Sequence, residues 1–203
     1  MIQWLRSVRY VRNLRNYNPN CEPDLLKLPG VVSKGDTVID VGAAIGLYAY
    51  NLSKLVGPRG TVIAYEPWPK SYDILRRNMK GLGCENVVAL PYAMSNYSGS
   101  GTMHIPGGLS HYFACLDKNS DGPPVPVRTF DDTLMEYTDV SFVKVDAEGN
   151  EASILKGARE FLDASHAVWM VEINGWWDIS GIFKEHSYHP TVMNTENCFF
   201  VKD

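Results

Sequence analysis

Residues 37–50, T-V-I-D-V-G-A-A-I-G-L-Y-A-Y, constrain the fold more than any other stretch of this 203-residue chain. Thr37 to Asp40 form an apolar run closed by a carboxylate, and Gly42 and Gly46 then bracket a tight turn. Beyond it, apolar residues recur at Ile45, Tyr48, Ala49, Leu52 and Leu55, which is helical spacing. The pattern reads as strand, glycine turn and helix, the opening of a nucleotide-binding βαβ unit. Its glycines let backbone come close to a ligand, and the helix start offers unpaired N–H groups.

The carboxylate at the strand end selects the ligand. Asp40 would repel a dinucleotide pyrophosphate and hold a cationic amino-acid group. The spacing D-x-G-x-x-x-G also departs from the dinucleotide fingerprint G-x-G-x-x-G. Both features point to S-adenosylmethionine and count against the rival reading, an oxidoreductase with a nicotinamide cofactor on the same kind of sheet. A structural turn carrying an incidental Asp is the plain alternative.

A second strand, Thr61 to Tyr65, ends in Glu66-Pro67, twenty residues beyond Gly46. An acid at that place and spacing accepts both ribose hydroxyls of a nucleoside. Trp68 is positioned to pack on the adenine face, or to serve as an aromatic rim residue without a ligand. The next helix turns Tyr72, Leu75, Met79 and Leu82 inward. After a third strand, Asn86 to Leu90, the loop with Tyr92, Ala93 and Ser95 leaves the same sheet edge and is expected near the adenine.

The third informative stretch is S-F-V-K-V-D-A-E-G-N-E at 141–151. Ser141 to Val145 reads as a buried strand in which Lys144 is out of character. Asp146 and Glu148 point the same way if the backbone stays extended. Two carboxylates in one pocket do not both ionise freely, so one pKa should rise, as a general base for a hydroxyl requires. A pair of helix-start acids satisfied by N–H groups is the alternative. Asn150 is the expected N-cap of a helix burying Ile154, Leu155, Ala158, Phe161 and Leu162.

Composition sets the limits. The chain is 45% hydrophobic and 21% charged, ordinary for one soluble domain, and no apolar run approaches membrane-spanning length. The opening lacks a signal peptide's apolar core, so a cytoplasmic location is expected. Arg6, Arg9, Arg12 and Arg15 lie in an acid-free opening, which leaves 15 basic against 23 acidic residues in the body. Such a body argues against a nucleic-acid partner. Residues 2–16 are expected as a helix whose apolar stripe (Trp4, Val8, Val11, Leu14) packs on the domain. Membrane contact through its arginines is the weaker alternative. Cys21, Cys84, Cys115 and Cys198 lack metal-ligand spacing, and His186 and His189 lack a third ligand, so no metal is expected. Residues 97–130 read as a small antiparallel insertion whose Gly107–His111 loop covers a substrate, with His111 a possible contact. Ala167 to Asn174 form a further strand ending in Glu172 and Asn174, the tail over 175–190 gives no clear pattern, and Cys198 to Val201 close the sheet.

Taken together, V-I-D-V-G-A-A-I-G-L-Y, Y-E-P with N-V-V-A-L-P-Y-A-M-S, V-R-T-F-D-D-T-L, and V-K-V-D-A-E-G-N-E-A-S-I-L-K-G-A with V-E-I-N form a set. Over about residues 35–174 the chain resembles the FkbM-type methyltransferases, a branch of the S-adenosylmethionine-dependent class. The resemblance implies an α/β, doubly wound, mostly parallel seven-stranded sheet (class I methyltransferase, Rossmann-like) spanning 35–203, preceded by a helical segment, 1–34. It implies methyl transfer, commonly to a hydroxyl of a sugar or natural product. The residues expected on the cofactor are Asp40, Gly42, Ala43, Gly46, Glu66, Pro67, Trp68, Ala93 and Asp146, with Asp146 and Glu148 catalytic. The family usually has Asn where this chain has Ala44, and the tail beyond Asn174 is short. A non-catalytic module of the same fold, and methylation of an amide or amine, remain the alternatives.

Overall fold

The computed structural model describes residues 13–105, 114–117, 121–133, 139–173, 176–193 and 197–203. Its main sheet contains β1 (Thr37–Val41), β2 (Thr61–Tyr65), β3 (Val87–Leu90), β8 (Val140–Val145), β9 (Val168–Glu172), β10 (Tyr188–Met193) and β11 (Asn197–Lys202). Their order is β10-β11-β9-β8-β1-β2-β3. All neighbouring pairs are parallel except those made by β11, which runs antiparallel to both β9 and β10. The seven-stranded, mostly parallel sheet expected from the sequence is therefore present. The order reverses between β1 and β8, and a crevice for a ligand opens at such a switch point.

The central strands are near-continuous apolar runs because helices cover both faces. Strand alternation sends Ile39, Val41, Val143 and Val145 to one face, beside Ile154, Phe161 and Trp169. It sends Val38, Phe142 and Met170 to the other, against Ala49, Leu52 and Leu75. Asp40 and Lys144 share that second face and stand opposite each other in the β1–β8 register.

Helix α1 (Leu47–Val56) follows β1, and α2 (Pro69–Leu82) follows β2. The start of α2 uses Pro69, whose missing N–H costs nothing there, and it ends at Gly83 in the left-handed conformation. Before the sheet, Leu14, Leu25, Leu28 and Val32 are buried against the α1 face. Residues 13–15 are helical, as expected, whereas Arg6, Arg9 and Arg12 lie outside the described residues, as do His111 and Asn174. No described helix is long and apolar enough to cross a membrane.

The expected antiparallel insertion is present, with β5 (Gly99–His104) antiparallel to β6 (Cys115–Leu116) and to β7 (Pro124–Arg128), and β4 (Ala93–Met94), from the loop before it, extends this second sheet parallel to β7. The loop after β3 is thus held by strand pairing. The helix expected across 151–162 is two, α3 (Glu151–Lys156) and α4 (Arg159–Ala164). They break at Gly157, where an added Cβ would lie 2.2 Å from the Ser95 carbonyl oxygen. The tail that gave no clear pattern forms α5 (Trp176–Glu185) and β10.

The Gly157 contact is steric, so Gly157→Ala should lower stability by about 1–3 kcal/mol in chemical denaturation. Gly30 has nothing within 4 Å of an added Cβ, and Gly30→Ala should stay within about 0.5 kcal/mol of the parent.

Candidate active site

The site begins where two loops cross. Gly42, at φ +78°, leaves β1 so close to the loop after β8 that a Cβ would sit 1.7 Å from the Asp146 carbonyl oxygen. The Asp146 N–H in turn donates to the Val41 carbonyl at 3.1 Å. The glycine that the sequence assigned to ligand approach thus first serves an approach of the chain to itself. Gly42 and Ala43 both donate to the Tyr65 carbonyl at 3.0 Å, tying the turn to β2. Gly46 caps α1 in the left-handed region at φ +99°, packed on Leu75 and Met79 of α2. Ala44 adopts φ +48°, a conformation that Asn tolerates better than Ala, which gives a conformational reason for the family's usual residue.

Glu66 is buried, with 6% of its surface exposed. Its carboxylate accepts from the Ala44 N–H and the Trp68 N–H, both at 2.8 Å. Burial still raises its pKa to about 7 against the pull of those two donors. A cavity of about 210 Å³ opens beside it, lined by Gly42, Ala44, Glu66, Pro67, Tyr92, Ala93, Asp146 and Glu148 among others. Trp68, expected on the adenine face or as a rim residue, packs against Ala93, Met103, Val125 and Val127, of which Ala93 and Met103 line that cavity.

A second cavity, about 690 Å³, lies on the α1 side. Asp40, Ala43, Tyr48, Lys144 and Asp146 line it, with Asn13, Asn16, Tyr17 and Glu22 from the N-terminal segment forming its outer wall. Gly42, Ala44 and Asp146 belong to both cavities, so the two meet there. Asp40, expected to meet a ligand's ammonium, has no exposed surface and faces Lys144 at 3.7 Å. Lys144, 2% exposed, donates to Asp146 at 3.0 Å and lies 4.6 Å from the centre of the Tyr48 ring. Burial pulls the Lys144 ammonium down, but Asp146 and Asp40 outweigh it and hold its pKa above the ordinary lysine value. The Tyr48 hydroxyl donates to Glu22 at 2.8 Å.

Asp146 and Glu148 both line the first cavity, though not by the expected route. Glu148 sits at φ +53°, so the backbone does not stay extended past Asp146. Its carboxyl is raised by burial and by the charges of Asp146 and Glu151, against Lys144. Asn150 stands at the N-cap position of α3 as expected, but its side chain makes no capping bond and donates instead to the Met94 carbonyl at 2.8 Å. Glu151 closes the turn instead, accepting from the Ala147 N–H at 2.8 Å and the Gly149 N–H at 3.2 Å. On β9, burial and then Asp146, Glu151 and Glu148 lift Glu172 to about 8.

Lys144 stands out in the sequence without a partner, whereas Tyr48 and Glu22 give no functional signal: Tyr48 reads only as part of an apolar stripe, and no local spacing links it to Glu22, 26 residues away. His186 pairs with Asp163 and His189 with Asp203, and no metal-ligand group occurs among the described residues. The donor set fits a nucleoside with a cationic tail. A buried carboxylate suited to vicinal hydroxyls lies on one side of Asp146, and Lys144 is the one Lys or Arg among the described residues lining either cavity.

Comparison with known proteins agrees with this geometry. Residues 40–197 match the methyltransferase FkbM domain. The hexuronic acid methyltransferase AglP of Haloferax volcanii is 29% identical over 213 residues, covering 98% of this chain and 82% of that protein. Protein-L-isoaspartate O-methyltransferase 1 of Archaeoglobus fulgidus is 37% identical over 57 residues, only 28% of this chain and 26% of that one. Among solved structures, the FkbM methyltransferase of Methylobacillus flagellatus KT superposes with a TM-score of 0.61 at 16% identity, over 98% of this chain. This chain spans 60% of that longer one. Aeropyrum pernix fibrillarin, solved with bound S-adenosyl-L-methionine, gives a TM-score of 0.56 at 14% identity over 89% of this chain and 74% of that one. These likenesses establish the fold, while the domain match runs from Asp40 through β9 to the start of β11 and takes in most residues of both cavities. The chain belongs to the FkbM methyltransferase family, enzymes that draw their methyl group from S-adenosylmethionine.

Proposed function

We propose that this chain methylates a hydroxyl of a sugar-like or natural-product-like small molecule. The observation that carries the reading is Asp146: a carboxylate 35% exposed, lining both cavities where they meet, with one oxygen held by a buried lysine. When bound, S-adenosylmethionine supplies an electrophilic methyl group on a sulfonium centre. Glu66 accepts the ribose hydroxyls, and Pro67 and Ala93 flank the nucleoside. Gly42 and Ala43 bound the amino-acid end, Asp40 acts there through Lys144 rather than by reaching the ligand, and Gly46 shapes the turn. Trp68 supports this wall from the insertion side.

The acceptor hydroxyl is a poor nucleophile at neutral pH, so a carboxylate must take its proton as the new O–C bond forms. Glu148 suits that role because burial and its acidic neighbours raise its proton affinity. Asp146 orients the reacting groups at the junction of the cavities. Since transfer from a sulfonium needs mainly alignment and exclusion of water, orientation supplies most of the rate. The hexuronic acid relative favours a glycan-type acceptor over a protein one, because its similarity extends along nearly the whole chain. An amide or amine acceptor would use the same carboxylates for orientation. A module that keeps the fold without activity would bind no S-adenosylhomocysteine.

Two outcomes are expected. Glu148→Gln should lower methyl transfer to a glycoside acceptor by about 10²–10⁴-fold while leaving S-adenosylhomocysteine affinity within about threefold. Full transfer rates in both Glu148→Gln and Asp146→Asn would remove these residues from catalysis.

The second concerns Glu66, whose pKa of about 7 sits above the ordinary 4.5. In ligand-free protein its contribution to stability is present at low pH and lost as pH rises through 7. Donation by ribose hydroxyls favours the ionised form, so binding should strengthen from pH 6 to 8 and release a proton near pH 6.5. Calorimetry with S-adenosylhomocysteine in buffers of different ionisation enthalpy reads that proton. Glu66→Gln should abolish the release and weaken binding by about tenfold or more.

A further inference from the structure

Lys144 has no assigned task in the proposed reaction, yet it occupies a place where a lysine is costly. An ammonium out of water costs several kcal/mol unless well paired, and the residues around Lys144 on that face of the sheet, Val38, Phe142 and Met170, are apolar. Its surroundings come from every element packed around it. Asp40 faces it from β1 at 3.7 Å, the Tyr48 ring from α1 at 4.6 Å, and Asp146 from the following loop at 3.0 Å. Glu172 on β9 raises its pKa from a greater distance, while Glu66 and Glu148 feel its charge in turn. Glu22 reaches this group only through the Tyr48 hydroxyl.

The exposures differ in an informative way. Asp40 is fully enclosed and Lys144 nearly so, whereas Asp146 keeps 35% of its side chain exposed. The charge is therefore anchored below, by a carboxylate with no exposed surface, and delivered above, to one that lines both cavities. We propose that Lys144 is a positioning residue, which holds Asp146 at the junction of the two cavities while Asp40 serves as the buried counter-charge that fixes Lys144. Lys144 binds Oδ2 of Asp146, and that bond restrains the carboxylate's rotation. The inference rests on the proposed role of Asp146 as a contact for bound cofactor or acceptor.

A role in folding alone and a role exerted through Asp146 give different answers in a mutant cycle. Removing one charge would strand the other, so Asp40→Asn and Lys144→Met are combined, which removes both at near-constant volume. The probe is S-adenosylhomocysteine affinity by calorimetry, with thermal unfolding recorded for each variant. The combined Asp40→Asn/Lys144→Met variant should bind about tenfold more weakly, and Asp146→Asn alone should lose a similar factor. Adding Asp146→Asn to that pair should cost no more than about threefold beyond either, because both act through one carboxylate. Asp40→Asn with Lys144→Gln, which keeps an amide donor near Asp146, should recover binding to within about threefold of the parent.

Fully multiplicative losses in the triple variant, or parent-like affinity in Asp40→Asn/Lys144→Met, would overturn the positioning role. Failure of both charge-free pairs to fold would also overturn it, since the charges would then be a requirement of the fold. Unchanged affinity in Asp146→Asn alone would remove the contact role of Asp146, and the inference with it. No binding by the parent protein would instead reject the methyltransferase reading itself.

Discussion

The site depends on the crossing of two loops at van der Waals limits. Gly42 leaves β1 against the carbonyl of Asp146, with no room for a Cβ, and the Asp146 N–H returns a bond to Val41. That crossing brings the ends of β1 and β8 to a common point. Everything the cofactor and acceptor would meet is arranged around it: Ala43 and Ala44 on one side, Ala147 and Glu148 on the other. Any side chain at 42 would push apart the loops that carry the opposing walls.

Electrostatics follow from the same register. Because Asp40 and Lys144 are opposite one another in adjacent parallel strands, their side chains must share a face. On a face otherwise occupied by Val38, Phe142 and Met170, neither could remain charged alone. Their proximity makes the charged lysine tolerable, and the loop after β8 then places Asp146 within 3.0 Å of the same ammonium. Burial comes first among the causes that raise Glu148 and Glu172, the latter to about 8, and it raises Asp40 as well although Lys144 lies 3.7 Å away.

The sequence disclosed what is local and periodic. The strand–turn–helix at 37–50 and the acid at the end of β2 are short-range patterns, and they placed Asp40 and Glu66 at the right sheet edge. It also placed Asp146 and Glu148 together, although by assuming an extended backbone that Glu148 abandons at φ +53°. What stayed hidden depends on contacts between distant segments. For Trp68 the local sequence leaves open the adenine face or a rim position, and its packing on Met103, Val125 and Val127 depends on segments 35 or more residues away. Asn150 takes the N-cap position, as its residue type suggests, but its side chain donates to Met94, 56 residues away, instead of capping the helix, and no local pattern shows that contact. The need for Gly at 157 cannot be read from helical periodicity, since what excludes a side chain there is the Ser95 carbonyl in another segment. The wall formed by Asn13, Asn16, Tyr17 and Glu22 carries no motif at all.

The described part of the insertion is tied into the site. Strand β4 pairs with β7, the Ser95 N–H donates to the Arg128 carbonyl at 2.9 Å, and the Asp131 N–H bonds the Gly157 carbonyl at 3.1 Å. Asn150 adds a bond to Met94, and Gly157 lies against Ser95. The loop bearing Ala93 is therefore clamped to the loop bearing Asp146 and Glu148 by hydrogen bonds and one close packing contact. A wall built this way cannot move independently of the carboxylates. Since orientation supplies most of the advantage in a transfer of this kind, such mechanical coupling between the expected nucleoside wall and the proposed base is what the chemistry requires. The short second sheet supplies the link between these two loops.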